Sequence, residues 1–152
     1  MTETRRPTFS SGLSYRDPRA ALRWLEAAFG FETSLVIENT DGSITHSEMR
    51  CGDGVVMIGS EWDDHHKSPA SLGGVNTQSL HVQLDAGLDA HCERARAAGA
   101  VITREPADQF YGDRSYMAVD PEGHIWSFAQ TFKLMTNEEM SAGSGLTVRE
   151  RL

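Results

Sequence analysis

The chain has 152 residues, 39% of them apolar and 24% charged, which suits one soluble domain with a core of its own. Its net charge of −8 offers nucleic acid and anionic membrane no attraction, and no apolar run approaches membrane-spanning length. Cys51 and Cys92 stand in different halves and read as reduced thiols of a cytoplasmic protein, since MTETRRPTFS lacks the apolar core of an export signal.

In chain order, residues 9–15 alternate as a strand. Asp17 and Pro18 then supply a helix N-cap and first turn, apolar residues recur at spacings of three and four over 20–29, and Gly30 stops the helix. Trp24, Leu25 and Phe29 fall on its core stripe. Three short strands follow at 33–38, 43–50 and 55–60. A linker over 61–78, rich in Asp, Ser, Gly and His, separates this half from the next. The second half repeats the pattern. Residues 79–84 alternate, Asp85 can cap, 88–98 are helical and end at Gly99, and strands follow at 101–105, 114–119 and 124–130. The expected fold class is therefore α+β: two βαβββ modules, at 8–60 and 79–132. Residues 133–152 have no counterpart in the repeat and read as a C-terminal tail, partly ordered.

Strand alternation assigns faces. Leu80, Val82 and Leu84 form one set, leaving Ser79, His81 and Gln83 for the other. In the first strand Leu13 and Tyr15 leave Ser10, Gly12 and Ser14. In the last, Trp126 and Phe128 leave Ile125, Ser127 and Ala129. The second set lines a small, polar concavity. The expected ligand cavity is Ser10, Ser14, Ser60, Ser79, His81 and Ser127, with Trp62 and Arg114 at its rim. Trp62 could stack on a planar ligand or cover a dimer seam. Arg114 could clamp an anion, or join Asp113 in a turn network beside Tyr111. His81 is the best candidate base, an imidazole placed mid-cavity where it could hydrogen-bond a ligand or take its proton. His124, after the turn glycine, reads as a hairpin cap. No nucleophile elbow, phosphate-cradling loop or zinc-finger spacing occurs.

The stretch FYGDRSYMAVDPEGHIWSFAQ, with its Asp120-Pro121-Glu122-Gly123 turn, resembles the last hairpin of the vicinal-oxygen-chelate superfamily of glyoxalases, bleomycin-resistance proteins and extradiol dioxygenases. SYRDPRAALRWLEAAFGFE, HSEMRCGDGVVMIG and KSPASLGG look like its PhnB-like, bleomycin-resistance-like branch. The resemblance implies modules curled into a mixed sheet around a cavity, and a homodimer. It places the superfamily's metal positions near Ser10, Ile58 or Ser60, Ser79 and Ser127. None is a His or a carboxylate, and Glu61 lies one residue off the required face, so no metal cofactor is expected. The leading reading is a small-molecule-binding protein that sequesters a toxic compound or antibiotic. A metal-dependent lyase, isomerase or dioxygenase is the alternative, with displaced ligands among His46, Glu48, His81 and the His65-His66 pair. A third reading is an interaction module acting through the tail.

Overall fold

The first helix, α1 (Pro18–Phe29), forms as its signals dictate. Asp17 Oδ1 accepts the Ala20 N–H at 3.0 Å, Pro18 takes the first helical position, and Gly30 closes the helix at φ 72°. Ala21, Leu22, Leu25, Ala28 and Phe29 lie on its buried stripe. The computed structural model describes residues 5–152. Around α1 the first half places β1 (Ser11–Tyr15), β2 (Glu32–Glu38), β3 (Ile44–Cys51) and β4 (Gly54–Ser60) in one sheet. Its order is β1-β4-β3-β2, with β1 parallel to β4 and the other pairs antiparallel.

The second half repeats this strand for strand. β5 (Ser79–Leu84), α2 (Leu88–Ala97), β6 (Val101–Asp108), β7 (Asp113–Val119) and β8 (Ile125–Thr131) give the order β5-β8-β7-β6, with β5 parallel to β8. The two βαβββ modules read from the sequence are therefore present, as two four-stranded mixed sheets and not one continuous curl. Among the described residues no strand ladder joins them.

Both helices lie on one side of the sheets and pack on each other. Trp24 Nε1 donates to the Ala98 carbonyl at 2.7 Å, and Arg94 donates to the carbonyls of Ala27 and Glu26. Beneath them the Phe29 ring contacts Trp126 and Phe128 at centroid distances of 5.5 and 4.7 Å, so one core serves both modules.

Side chains make the joint between the sheets, and the Asp120 carboxylate is its centre. Oδ2 accepts the Tyr15 hydroxyl at 2.7 Å and Trp126 Nε1–H at 3.1 Å, while Oδ1 accepts the backbone N–H groups of Glu122 and His124 at 3.0 Å each. A buried carboxylate requires such donors. Glu122 then accepts the N–H groups of Arg16 and Asp17. Along the free edge of β1, Gln78 Nε2 donates to the Gly12 carbonyl and His124 Nε2 to that of Ser14. The Asp-Pro-Glu-Gly turn thus acts mainly as the rivet between modules. Gly123 is required there twice over: its φ is 94°, and a Cβ would sit 3.0 Å from that of Pro69.

Several local expectations change. The first strand starts at Ser11, leaving Phe9 outside it and exposed, and β6 runs on to Asp108. Asp85 does not cap α2. Gly87 holds the N-cap position in the left-handed region, and Gln130 Oε1, from β8, accepts the Leu88 N–H instead. The tail carries a helix, α3 (Asn137–Ser144), whose N-cap Thr136 accepts the Glu139 N–H at 3.1 Å.

Candidate functional site

With both helices on one side, each sheet keeps an open face. On the second sheet the register puts Ser79, His81 and Gln83 of β5 beside Ile125, Ser127, Ala129 and Thr131 of β8, with Asp113, Ser115 and Met117 of β7 beyond. The alternate residues Leu80, Val82, Tyr116, Ala118, Trp126 and Phe128 belong to the core. His81, Ser115, Met117 and Ser127 floor a hollow of about 290 Å³, which Arg104, Gln109 and Tyr111 wall.

The polar groups of this floor form one chain with a single direction. The Asp113 carboxylate can only accept, so the Thr131 hydroxyl donates to it at 2.7 Å. Thr131 Oγ1 therefore accepts the Gln83 amide N–H at 2.9 Å, leaving the Gln83 carbonyl to face His81 Nε2 at 3.3 Å. Nε2 then carries the proton, Nδ1 is the acceptor, and the Ser127 hydroxyl donates to it at 2.7 Å. The hydrogen of Ser127 is committed and its free lone pairs face the hollow. The floor presents an acceptor at Ser127, against an apolar Met117 and the Tyr111 ring.

The open face of the first sheet differs. Glu48 stands opposite Leu35 on β2 and Met57 on β4, with His46 two residues away. Its side chain is only 6% exposed, because Arg6 covers it: Arg6 Nη2 donates to Glu48 Oε1 at 2.7 Å, and His46 Nε2 meets the same oxygen at 3.1 Å. These two side-chain hydrogen bonds, Arg6 first, hold the Glu48 carboxyl below its usual range, against the opposing effect of burial.

Of the eight site residues expected from sequence, His81 and Ser127 border the hollow. Ser79 shares their face at the start of β5. Ser14 lies on the first sheet, and Ser10 precedes β1, so neither borders the hollow. Ser60 is corrected. It pairs with Tyr15 and has the parity of Ile58, so it faces the helix side and borders a depression with Arg16 and Ser43. Arg114 is corrected too. It shares the parity of Tyr116 and points to the helix side, paired with Asp89 of α2 at 2.9 Å and Asp108 at 3.1 Å. Trp62 is 66% exposed and stacks on His66 at 4.2 Å, away from the hollow. His124 is buried in the joint, Tyr111 walls the hollow, and Glu61 accepts the Ser68 N–H within the linker.

The donors do not fit a divalent ion. Ile58 is buried in the core, Ser60 faces the helices, and Ser127 is bonded to His81. Among the described residues no group of three His, Cys, Asp or Glu side chains is placed to ligate one. Sequence reasoning missed the Asp113–Thr131 end of the hydrogen-bond chain, the Arg6 cover, and His91. That imidazole donates from Nε2 to the Phe29 carbonyl at 2.9 Å and accepts the Tyr116 hydroxyl at 2.6 Å. Burial, the largest effect, lowers its pKa below the ordinary value.

The sequence pattern of the Glyoxalase/Bleomycin resistance protein/Dioxygenase superfamily matches residues 10–128. The chain belongs to that superfamily. Among solved structures, TioX from Micromonospora sp. ML1 is 32% identical, with 83% of this chain and 99% of that chain covered and a TM-score of 0.67. TnmS3, an antibiotic binding protein from Streptomyces sp. CB03234, is 19% identical over 81% of this chain and 92% of that one, with a TM-score of 0.60, a likeness of fold alone. In sequence, the uncharacterized protein Rv0887c of Mycobacterium tuberculosis (strain ATCC 25618 / H37Rv) is 29% identical over 140 residues, 90% of this chain and 81% of that protein. The superfamily's fold is thus present.

Proposed function

We propose that this chain is a small-molecule-binding protein of the bleomycin-resistance type, working in the cytoplasm as a homodimer without a resident metal. The observation that carries the reading is the one-way hydrogen-bond chain under the second sheet's hollow. Four side chains are spent on fixing one acceptor, Ser127 Oγ, at the floor of a cavity of about 290 Å³. A ligand that suits it offers an N–H or O–H to Ser127 and a flat apolar body to Met117 and Tyr111, as a phenol or aryl amide does. Sequestration of such a compound, an antibiotic included, agrees with the likeness to TnmS3, an antibiotic binding protein. The exposed Val36 and Ile37 on the edge strand β2 favour a second copy covering them. The stretches quoted above, similar to the PhnB-like branch, support that branch as the chain's own.

Titration calorimetry with a panel of phenols and aryl amides tests the reading. Ser127→Ala should weaken the best binder about fivefold, the worth of one hydrogen bond. A panel with no binder, or equal affinity for Ser127→Ala, removes the hollow as the site. Elemental analysis of untagged protein should find metal far below one per chain. A stoichiometric transition metal would install a metal-dependent enzyme in place of this reading.

A further inference from the structure

The first sheet carries a carboxylate whose partner comes from outside the sheet. Glu48 stands on β3 with an apolar neighbour on each side, Leu35 across on β2 and Met57 across on β4. Leu35 is partly exposed, and the Met57 methyl reaches over Gly12, where an added Cβ would meet it at 3.8 Å. An ionised carboxylate shielded from water in such a place requires a counter-charge. The strands of the sheet provide His46 alone. The cation is Arg6, on a stretch of irregular backbone over residues 5–10 that belongs to no strand. The Arg6 side chain stays 59% exposed while that of Glu48 is 6% exposed. The geometry is that of a planar cation resting on a prepared anionic socket.

We propose that the Glu48 socket is a second ligand site, for an organic cation with a planar amidinium or guanidinium head and an apolar body, and that Arg6 occupies it as an internal stand-in. The head replaces the Arg6 hydrogen bond to Glu48 Oε1. The body lies on Met57 and the exposed Leu35, which flank Glu48. The arm then competes with the ligand, so the apparent affinity falls by the fraction of chains in which Arg6 is seated. The proposal is independent of the hollow at Ser127, which selects neutral donors on the other sheet.

Benzamidinium is the probe and neutral benzamide its control, with [13C-methyl]methionine NMR as the site-specific readout. Arg6→Ala should bind benzamidinium at least about tenfold tighter than the natural chain, shift the Met57 methyl signal, and leave the Met117 signal, which reports on the other hollow, unchanged. Benzamide, a neutral aryl amide, should leave the Met57 methyl unmoved, and any shift it causes at Met117 reports on the Ser127 hollow alone. Glu48→Gln in the Arg6→Ala background should abolish the tightening. If that double variant fails to fold, the Met57 signal of Arg6→Ala still decides, because Glu48 is intact there. Equal or weaker benzamidinium binding by Arg6→Ala, or a silent Met57 methyl, overturns the proposal and makes the ion pair a tether for the arm.

Discussion

In the first module the open face carries a single ion pair on an apolar floor, Glu48 under Arg6 between Leu35 and Met57. In the second it carries a hydrogen-bond relay that runs from Ser127 through His81 to Asp113. Both faces stand on the same strand order and the same helix-side core. The helix starts differ in the same way. α1 is capped by Asp17 immediately before it, whereas α2 borrows Gln130 from a strand far along the chain. The contrast shows where a duplicated βαβββ unit is constrained. Residues of core parity must pack on shared neighbours, Phe29 against Phe128 for example. Residues of the opposite parity face no other layer of the chain, and their chemistry can diverge without disturbing the fold.

If the modules differ in chemistry but depend on one joint, breaking the joint should have the largest effect. Asp120→Ala removes the acceptor of four donors, two of them in buried side chains, and should cost about 3 kcal/mol or more in urea denaturation. Asp120→Asn, which keeps part of the network, should cost less. A midpoint unmoved by Asp120→Ala would mean that helix packing alone holds the modules together. A smaller effect belongs to His91, which ties α2 to the end of α1. Burial holds its folded-state pKa down, so the unfolded chain takes up the proton first. Its contribution is complete above about pH 6.5 and is lost as pH falls below that. His91→Gln should therefore flatten the decline in stability between about pH 7 and about pH 5; an unchanged slope would assign that decline to other groups. The smallest effect is expected at Arg114, whose partners Asp89 and Asp108 are solvent-exposed. Arg114→Ala should leave both the denaturation midpoint and phenol binding unchanged. A loss of binding would place Arg114 back at the rim and undo the face assignment of β7.

Much of this architecture was legible in the residues. Asp17-Pro18, Gly30 and the alternation of Ser79–Leu84 specify local structure by themselves, and the structure follows them. The face of Ser60 was not, because Val55-Val56-Met57-Ile58 is apolar throughout and has no alternation from which to count. Arg114 did carry a signal: it stands two residues before Tyr116, so it shares that ring's face. The burial of Glu48 had none, since its cover comes from Arg6, distant in sequence and outside any periodic element. The Ser127–His81 contact was half legible. Parity put both on one face, but the direction of the relay depends on Thr131 and Asp113, two residues whose partners are set only by register.

Every backbone ladder closes within its own module: Ser11 pairs with Val56, and Ser79 with Ile125. No strand has to wait for the other half of the chain before it finds its neighbour. The entropic cost of long loop closure, which slows proteins with distant strand pairings, is therefore confined to each half. The Tyr15–Asp120 bond and the Phe29–Phe128 contact reach from one module to the other, and they link side chains of halves that can already be assembled. In kinetic terms this makes docking a late event. A substitution at the rivet should chiefly speed unfolding, and one inside a ladder should slow folding.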